Sequence, residues 1–213
     1  MDRQPSGTKL DLQRELDERG YFVIRRGGPR VLVDVLEELG RVIHVEDVVV
    51  TPESASLVKS ERGLSLHTDH HRADVIVWHC LAQSDQGGET IISDALAALT
   101  TLSREEQSAL THVHLKEHSV FIGDEDRYPL LSVRRGRPRI YYSYWMVEEG
   151  LRDEERAAFE AFTRAVERGH RVTLRLEPGD ILGIDNGQML HGRQPITGSK
   201  ERHLRRYWLE LGA

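Results

Sequence analysis

The sequence predicts an α+β fold, mainly β: a double-sheet jelly roll with flanking helices. Three observations predict it. Amphipathic helical patterns dominate the first forty residues, and short β-rich runs bounded by turn residues fill most of the remaining chain. No repeat, low-complexity tract or linker interrupts the 213 residues, a length that suits one domain over residues 1–213.

In chain order, residues 8–19 carry a helical pattern that Gly20 stops before the β-rich Tyr21-Phe22-Val23-Ile24. Pro29 opens a second helix, because its fixed φ suits a first turn. Val31, Leu32, Val35, Leu36 and Leu39 then recur at helical spacing up to Gly40. Strand runs are expected at 41–50, 56–60, 64–69, 74–82 and 89–93. Ser103 with Glu106 forms a capping box that starts a helix reaching about residue 110. A strand over 113–122 and a hairpin around Arg135-Gly136-Arg137-Pro138 come next. Residues 153–168 form a third helix with Asp153 as N-cap and Gly169 after it. Strands at 171–176, 180–184 and 203–210 close the chain around Pro178-Gly179-Asp180.

Composition excludes several classes. A net charge of −6 argues against a general nucleic-acid binder. No run approaches the roughly 18 apolar residues of a membrane span, and Met1-Asp2-Arg3-Gln4-Pro5 lacks a signal-peptide core. The single cysteine, Cys80, allows no intrachain disulfide framework, which fits a reducing cytoplasm. Its neighbours Trp78, His79 and Leu81 mark strand interior, so Cys80 reads as packing.

The chemistry concentrates in His67-Thr68-Asp69 and in His191 far downstream. Two imidazoles and one carboxylate hold a non-haem iron(II) on one face and leave the other open. Strand alternation places His67 and Asp69 on one face and Thr68 on the other. By the same parity, Arg202, Leu204 and Arg206 share a face near the C-terminus. A guanidinium matches a carboxylate with two parallel hydrogen bonds, so Arg202 and Arg206 read as an anion clamp.

These residues carry a resemblance. His67-Thr68-Asp69, then Gly87-Gly88-Glu89-Thr90, then Leu190-His191-Gly192-Arg193, then Arg202 and Arg206 occur in the order and spacing of one family. The chain resembles the taurine dioxygenase and clavaminate synthase-like family of iron(II)/2-oxoglutarate-dependent oxygenases, from about Tyr21 almost to the C-terminus. The resemblance implies a double-stranded β-helix, in line with the jelly roll. It implies that His67, Asp69 and His191 ligate Fe(II), and that Thr90 and Arg202 hold the distal carboxylate of 2-oxoglutarate. Arg206 matches a position that binds an acidic substrate group in some relatives, and Arg193 has either a site or a structural role.

The reaction implied is O2-dependent hydroxylation of an unactivated carbon in a small, anionic metabolite such as an amino acid or natural-product intermediate. Succinate and CO2 are released. Desaturation, epoxidation and cyclisation share that oxidising chemistry, and a carrier-tethered substrate fits equally. An aspartate at position 69 fills the place where halogenating relatives have a small residue. A divalent-metal hydrolase or lyase would have no need of Thr90 and Arg202, and a non-catalytic binding protein no need of an intact triad.

His71 is a candidate substrate contact beside the triad, and Lys59 and Ser60 lie where relatives contact substrate. His112, His114 and His118 form the wet face of a strand, with Val113 and Leu115 on its other face. Arg134, Arg135, Arg137 and Arg139 read as a solvated hairpin tip, and Tyr142, Tyr144 and Trp145 as core or pocket wall. Few segments are long enough for a lid: 47–62, 70–74 and 121–129.

Overall fold

The computed structural model describes residues 11–51, 58–116, 120–124, 127–198 and 201–212. Asp11 caps α1 (Leu12–Arg19) by accepting from the Arg14 N–H, and Gly20 closes it in the left-handed conformation. Strand β1 (Tyr21–Ile24) leads to α2 (Gly28–Leu39), with Pro29 in its first turn. Then come β2 (Gly40–Val49), β3 (Leu64–His67), β4 (Val75–Ala82) and β5 (Thr90–Asp94). Helix α3 (Ala95–Thr100) is an addition to the sequence expectation, capped by the Asp94 carboxylate on the Ala97 N–H. Helix α4 (Arg104–Leu110) opens with the expected Ser103–Glu106 capping box.

Next are β6 (His114–Lys116), β7 (Arg127–Pro129), β8 (Leu131–Arg134) and β9 (Arg137–Ile140). Helix α5 (Asp153–Arg168) precedes β10 (Arg171–Leu174), β11 (Ile181–Asp185), β12 (Met189–Arg193) and β13 (His203–Leu211).

Two antiparallel sheets face each other, ordered β1-β11-β4-β13-β2 and β10-β5-β12-β3. This is the double-stranded β-helix expected. Period-2 alternation explains how the sheets bury both faces. On β4, Ile76, Trp78 and Cys80 enter the core between the sheets with Ile92, Leu182, Leu204 and Trp208. Val75 and Val77 point outward and pack beneath α1 and α2 against Leu16, Val35 and Leu39. Helices α3, α4 and α5 cover the region of the second sheet through Ala95, Leu110, Phe162 and Val166. Cys80 is fully buried and its thiol pKa is pushed up to about 11, first by burial, so it packs and does not react.

Several expectations are corrected. Of the strand expected over 113–122, the described part is His114–Lys116, and at its far end Val120 and Phe121 turn instead, their N–H groups donating to Asp124. His118 lies outside the described residues. The described part of the 56–60 run is a turn whose Val58 and Ser60 carbonyls accept from Arg193. Asp153 is not the N-cap of α5. Arg152 occupies that position, and its N–H donates to the Glu155 carboxylate.

The arginines of the β8–β9 hairpin are not all solvated either. Arg134 and Arg139 reach inward to the buried Asp74 carboxylate at 2.8 and 3.4 Å, and Arg139 also meets Asp185 at 3.6 Å. Asp74 also accepts from the Leu211 N–H at 3.0 Å, so one carboxylate ties the hairpin to the end of β13. Among the described residues, no helix is long and apolar enough to cross a membrane.

Candidate active site

His67, Asp69 and His191 converge at one buried point, each offering a ligand atom within 4.8 Å of the others. Neighbouring strands supply the histidines, since His191 on β12 is the register partner of His67 on β3. Their ring centroids are 4.3 Å apart, and each Nε2 faces Asp69 Oδ1, at 3.9 Å for His67 and 3.6 Å for His191. The His67 Nδ1 donates to the Ser65 carbonyl at 2.8 Å, which fixes the tautomer with Nε2 free for a metal.

Strand alternation does not place Asp69, because β3 ends at His67. Asn186 places it. This buried side chain accepts from the Asp69 N–H at 2.8 Å and donates to the carbonyls of Asp69, His70 and Ala73 at 3.3, 3.1 and 3.0 Å. Asn186→Ala strips that lacing from the loop. It is expected to lower stability by about 1–3 kcal/mol and to weaken metal binding, read by thermal melting and by Mn(II) titration. Parental values in both would refute the assignment.

The carboxylate itself has two further partners on β13. Trp208 Nε1 donates to Asp69 Oδ2 at 2.8 Å, and Arg206 Nη1 donates to Oδ1 and Oδ2 at 2.7 and 2.8 Å. Burial alone would raise the Asp69 pKa, but Arg206, then His191 and His67, hold it well below the usual carboxylate range. Burial first, and His191 next, push His67 down to about 3.

The donor set is therefore two imidazoles and an ionised carboxylate, with His67 neutral near neutral pH. That is the chemistry iron(II) needs from a facial triad, and the residues fit it.

A second cavity-facing group is the buried Arg202. Its Nε donates to the Gly88 carbonyl at 3.2 Å, and among the described residues its guanidinium meets no carboxylate within ion-pair distance. Burial, then Arg193, pushes it down to about 10. One small cavity is lined by Thr90, Arg202, His67 and His191, with Trp78 and Leu64 as its walls. Gly87 and Gly88, both at positive φ, shape this wall. A Cβ on Gly87 would collide with the Pro195 carbonyl, and one on Gly88 would press the Arg202 stem at 3.1 Å. A desolvated guanidinium beside a hydroxyl and a metal triad suits the carboxylate of a dicarboxylic cosubstrate.

Comparisons with known proteins agree with this geometry. The model of the family described as "Taurine catabolism dioxygenase TauD, TfdA family" matches residues 9–208. The chain belongs to the TauD, TfdA family. Among curated relatives, mitochondrial trimethyllysine dioxygenase of Rattus norvegicus is 28% identical over 167 residues, covering 65% of this chain and 38% of that protein. Dioxygenase str8 of Strobilurus tenacellus is 31% identical over 163 residues, covering 70% of this chain and 39% of that protein. The chain thus spans well under half the length of these relatives.

Solved structures share the fold. Non-heme iron oxygenase OrfP with Fe and alpha-ketoglutaric acid superposes with a TM-score of 0.76 at 23% identity, covering 94% of this chain and 78% of that one. Asparagine oxygenase with Fe(II), hydroxyasparagine and succinate gives 0.76 at 20%, with coverage of 94% and 78%.

Within this TauD, TfdA chain, the remaining expected residues divide. His71 is grouped with tyrosines and not with the triad: its ring stacks on Tyr128 at 3.7 Å and meets Tyr141 edge-on at 5.8 Å. Arg193 serves the loop at 58–62, donating to three of its carbonyls. Lys59 pairs with Glu46 at 3.1 Å. Trp145, half-exposed, lies 5.4 Å from the His67 ring, whereas Tyr142 is core.

Trp208 and Asn186 escaped the sequence reading. Extending the Arg202-Leu204-Arg206 parity by one step reaches Trp208, whereas no local signal marks Asn186.

Burial first pushes His71 down to about 3 as well as His67. Folded-state values below the ordinary one mean that the unfolded chain binds more protons on acidification, so stability falls as pH drops from the ordinary histidine range towards 3. The metal-free protein is expected to melt at lower temperature at about pH 5 than at about pH 7, and less so in His71→Asn. Equal melting at both pH values would contradict this.

Proposed function

We propose that this protein is an iron(II)- and 2-oxoglutarate-dependent dioxygenase that hydroxylates an unactivated carbon of a small amino-acid-like metabolite. The observation that carries the reading is Arg202: a buried guanidinium without a carboxylate partner among the described residues, sharing one cavity with Thr90 and with His67 and His191 of the His-Asp-His group. A hydrolytic metal site has no use for such a cation. The names of the relatives support the substrate class, since they act on or bind trimethyllysine, hydroxyarginine or hydroxyasparagine.

The roles divide among the chain's own groups. His67 Nε2, His191 Nε2 and Asp69 Oδ1 would hold the metal, with Asp69 Oδ2 kept back by Trp208. Arg202 and Thr90 would bind the far carboxylate of 2-oxoglutarate, which orients its keto-acid end towards the triad. Trp78 and Leu64 give that cavity apolar walls, and Trp145 packs beside the His67 ring. Bound iron(II) with 2-oxoglutarate supplies the oxidising chemistry: substrate C–H, O2 and 2-oxoglutarate become C–OH, succinate and CO2.

The test is spectroscopic. Anaerobic protein given iron(II) and 2-oxoglutarate is expected to develop a weak visible charge-transfer band, and admission of O2 to yield succinate. Absence of both sinks the proposal.

A further inference from the structure

The two arginines of the expected clamp are in different electrostatic states. Arg202 meets no carboxylate among the described residues, whereas Arg206 is shared by two. Its Nη1 lies on Asp69, and its Nη2 donates to Glu46 Oε2 at 2.5 Å. Glu46 stands directly opposite Arg206 in the β2–β13 ladder, so backbone register sets this contact. Lys59 takes the other Glu46 oxygen at 3.1 Å, which completes a row Asp69–Arg206–Glu46–Lys59 leading from the triad towards the surface.

Charge balance gives Glu46 a task. An uncompensated guanidinium this close to a divalent cation repels it and competes with it for Asp69. Arg206 Nη1 spans both Asp69 oxygens, at 2.7 Å to Oδ1 and 2.8 Å to Oδ2, and dividing its charge with Glu46 loosens its competition for Oδ1, the oxygen that also faces the histidines. We propose that Glu46 is a positioning residue for the metal site, acting through Arg206.

This rests on the metal-site reading above, and Mn(II) binding to the whole protein, followed by electron paramagnetic resonance, separates the two. Glu46→Gln keeps shape and hydrogen bonding but removes the charge. It is expected to weaken Mn(II) binding about tenfold with an unchanged circular dichroism spectrum. In an Arg206→Gln background, the same substitution is expected to do almost nothing, because the residue it acts through is gone. Lys59→Met leaves the Glu46–Arg206 contact in place and is expected to bind Mn(II) like the parent.

Parental affinity in Glu46→Gln overturns the inference. So does an equal loss in both backgrounds. If Arg206→Gln fails to fold, Arg206→Lys supplies the second background, because one ammonium cannot fork between two carboxylates. Failure of the unmutated protein to bind Mn(II) would count against the metal site itself.

Discussion

Asp69→Ala is expected to abolish turnover and weaken metal binding by more than about a hundredfold. Loss of a residue that merely orients a ligand costs about ten- to a hundredfold, and loss of the ligand costs more. Two histidines alone leave the metal without the charged donor of the triad. The substitution also strips Trp208 Nε1 and Arg206 Nη1 of their buried acceptor, while Glu46 still balances the Arg206 charge. A stability loss of about 1–3 kcal/mol is therefore expected, short of unfolding. Asp69→Asn keeps the acceptor for Trp208, so it is expected to fold better than alanine yet bind metal weakly. Mn(II) titration, thermal melting and succinate formation check this, and undiminished turnover in either variant contradicts the ligand role.

Arg202→Ala is expected to raise the 2-oxoglutarate requirement roughly a hundredfold, since truncating one partner of a buried charge pair costs about 2–5 kcal/mol. Metal binding without 2-oxoglutarate is expected to stay as it was, because Arg202 makes no contact with the triad residues. The ligand-free protein is not expected to melt earlier. Arg202 is a buried cation that donates to the Gly88 carbonyl and meets no carboxylate at ion-pair distance among the described residues, and burial dominates its electrostatics, so its removal relieves desolvation. Steady-state kinetics against 2-oxoglutarate, with melting with and without it, separate the two effects. An unaltered requirement would mean that the cavity binds something else. Arg202→Lys restores the charge but not the fork, and little rescue is expected.

The elements easiest to read in the sequence were those with strong local physics. Helix α5 is long and periodic, the Ser103–Glu106 box satisfies backbone donors within four residues, and α2 carries a proline in its first turn and ends before a glycine. The triad was legible because His67 and Asp69 are followed by Thr90, His191 and Arg202 in the order and spacing of one family. What failed locally was short or tertiary in origin. Helix α3 has six residues, too few for a period to stand out. Val120 and Phe121, at the end of the strand expected over 113–122, turn because the Asp124 carboxylate captures their backbone N–H groups.

Residue types, spacing and parity thus determined the fold class, the three candidate metal ligands and the pairing of Arg202 with Arg206. Tertiary structure alone decided how those groups differ. Nothing in the run from Arg202 to Arg206 distinguishes the two arginines, because a side chain's charge partners depend on which strand lies alongside. The β2–β13 register puts Glu46 against Arg206, and the Gly87-Gly88 turn brings Arg202 a carbonyl in place of a carboxylate. Asn186, 117 residues from Asp69 in sequence, holds the loop that strand alternation could not. Chain proximity encodes backbone geometry, but the balance of charge around a buried site is a property of neighbours that only folding brings together.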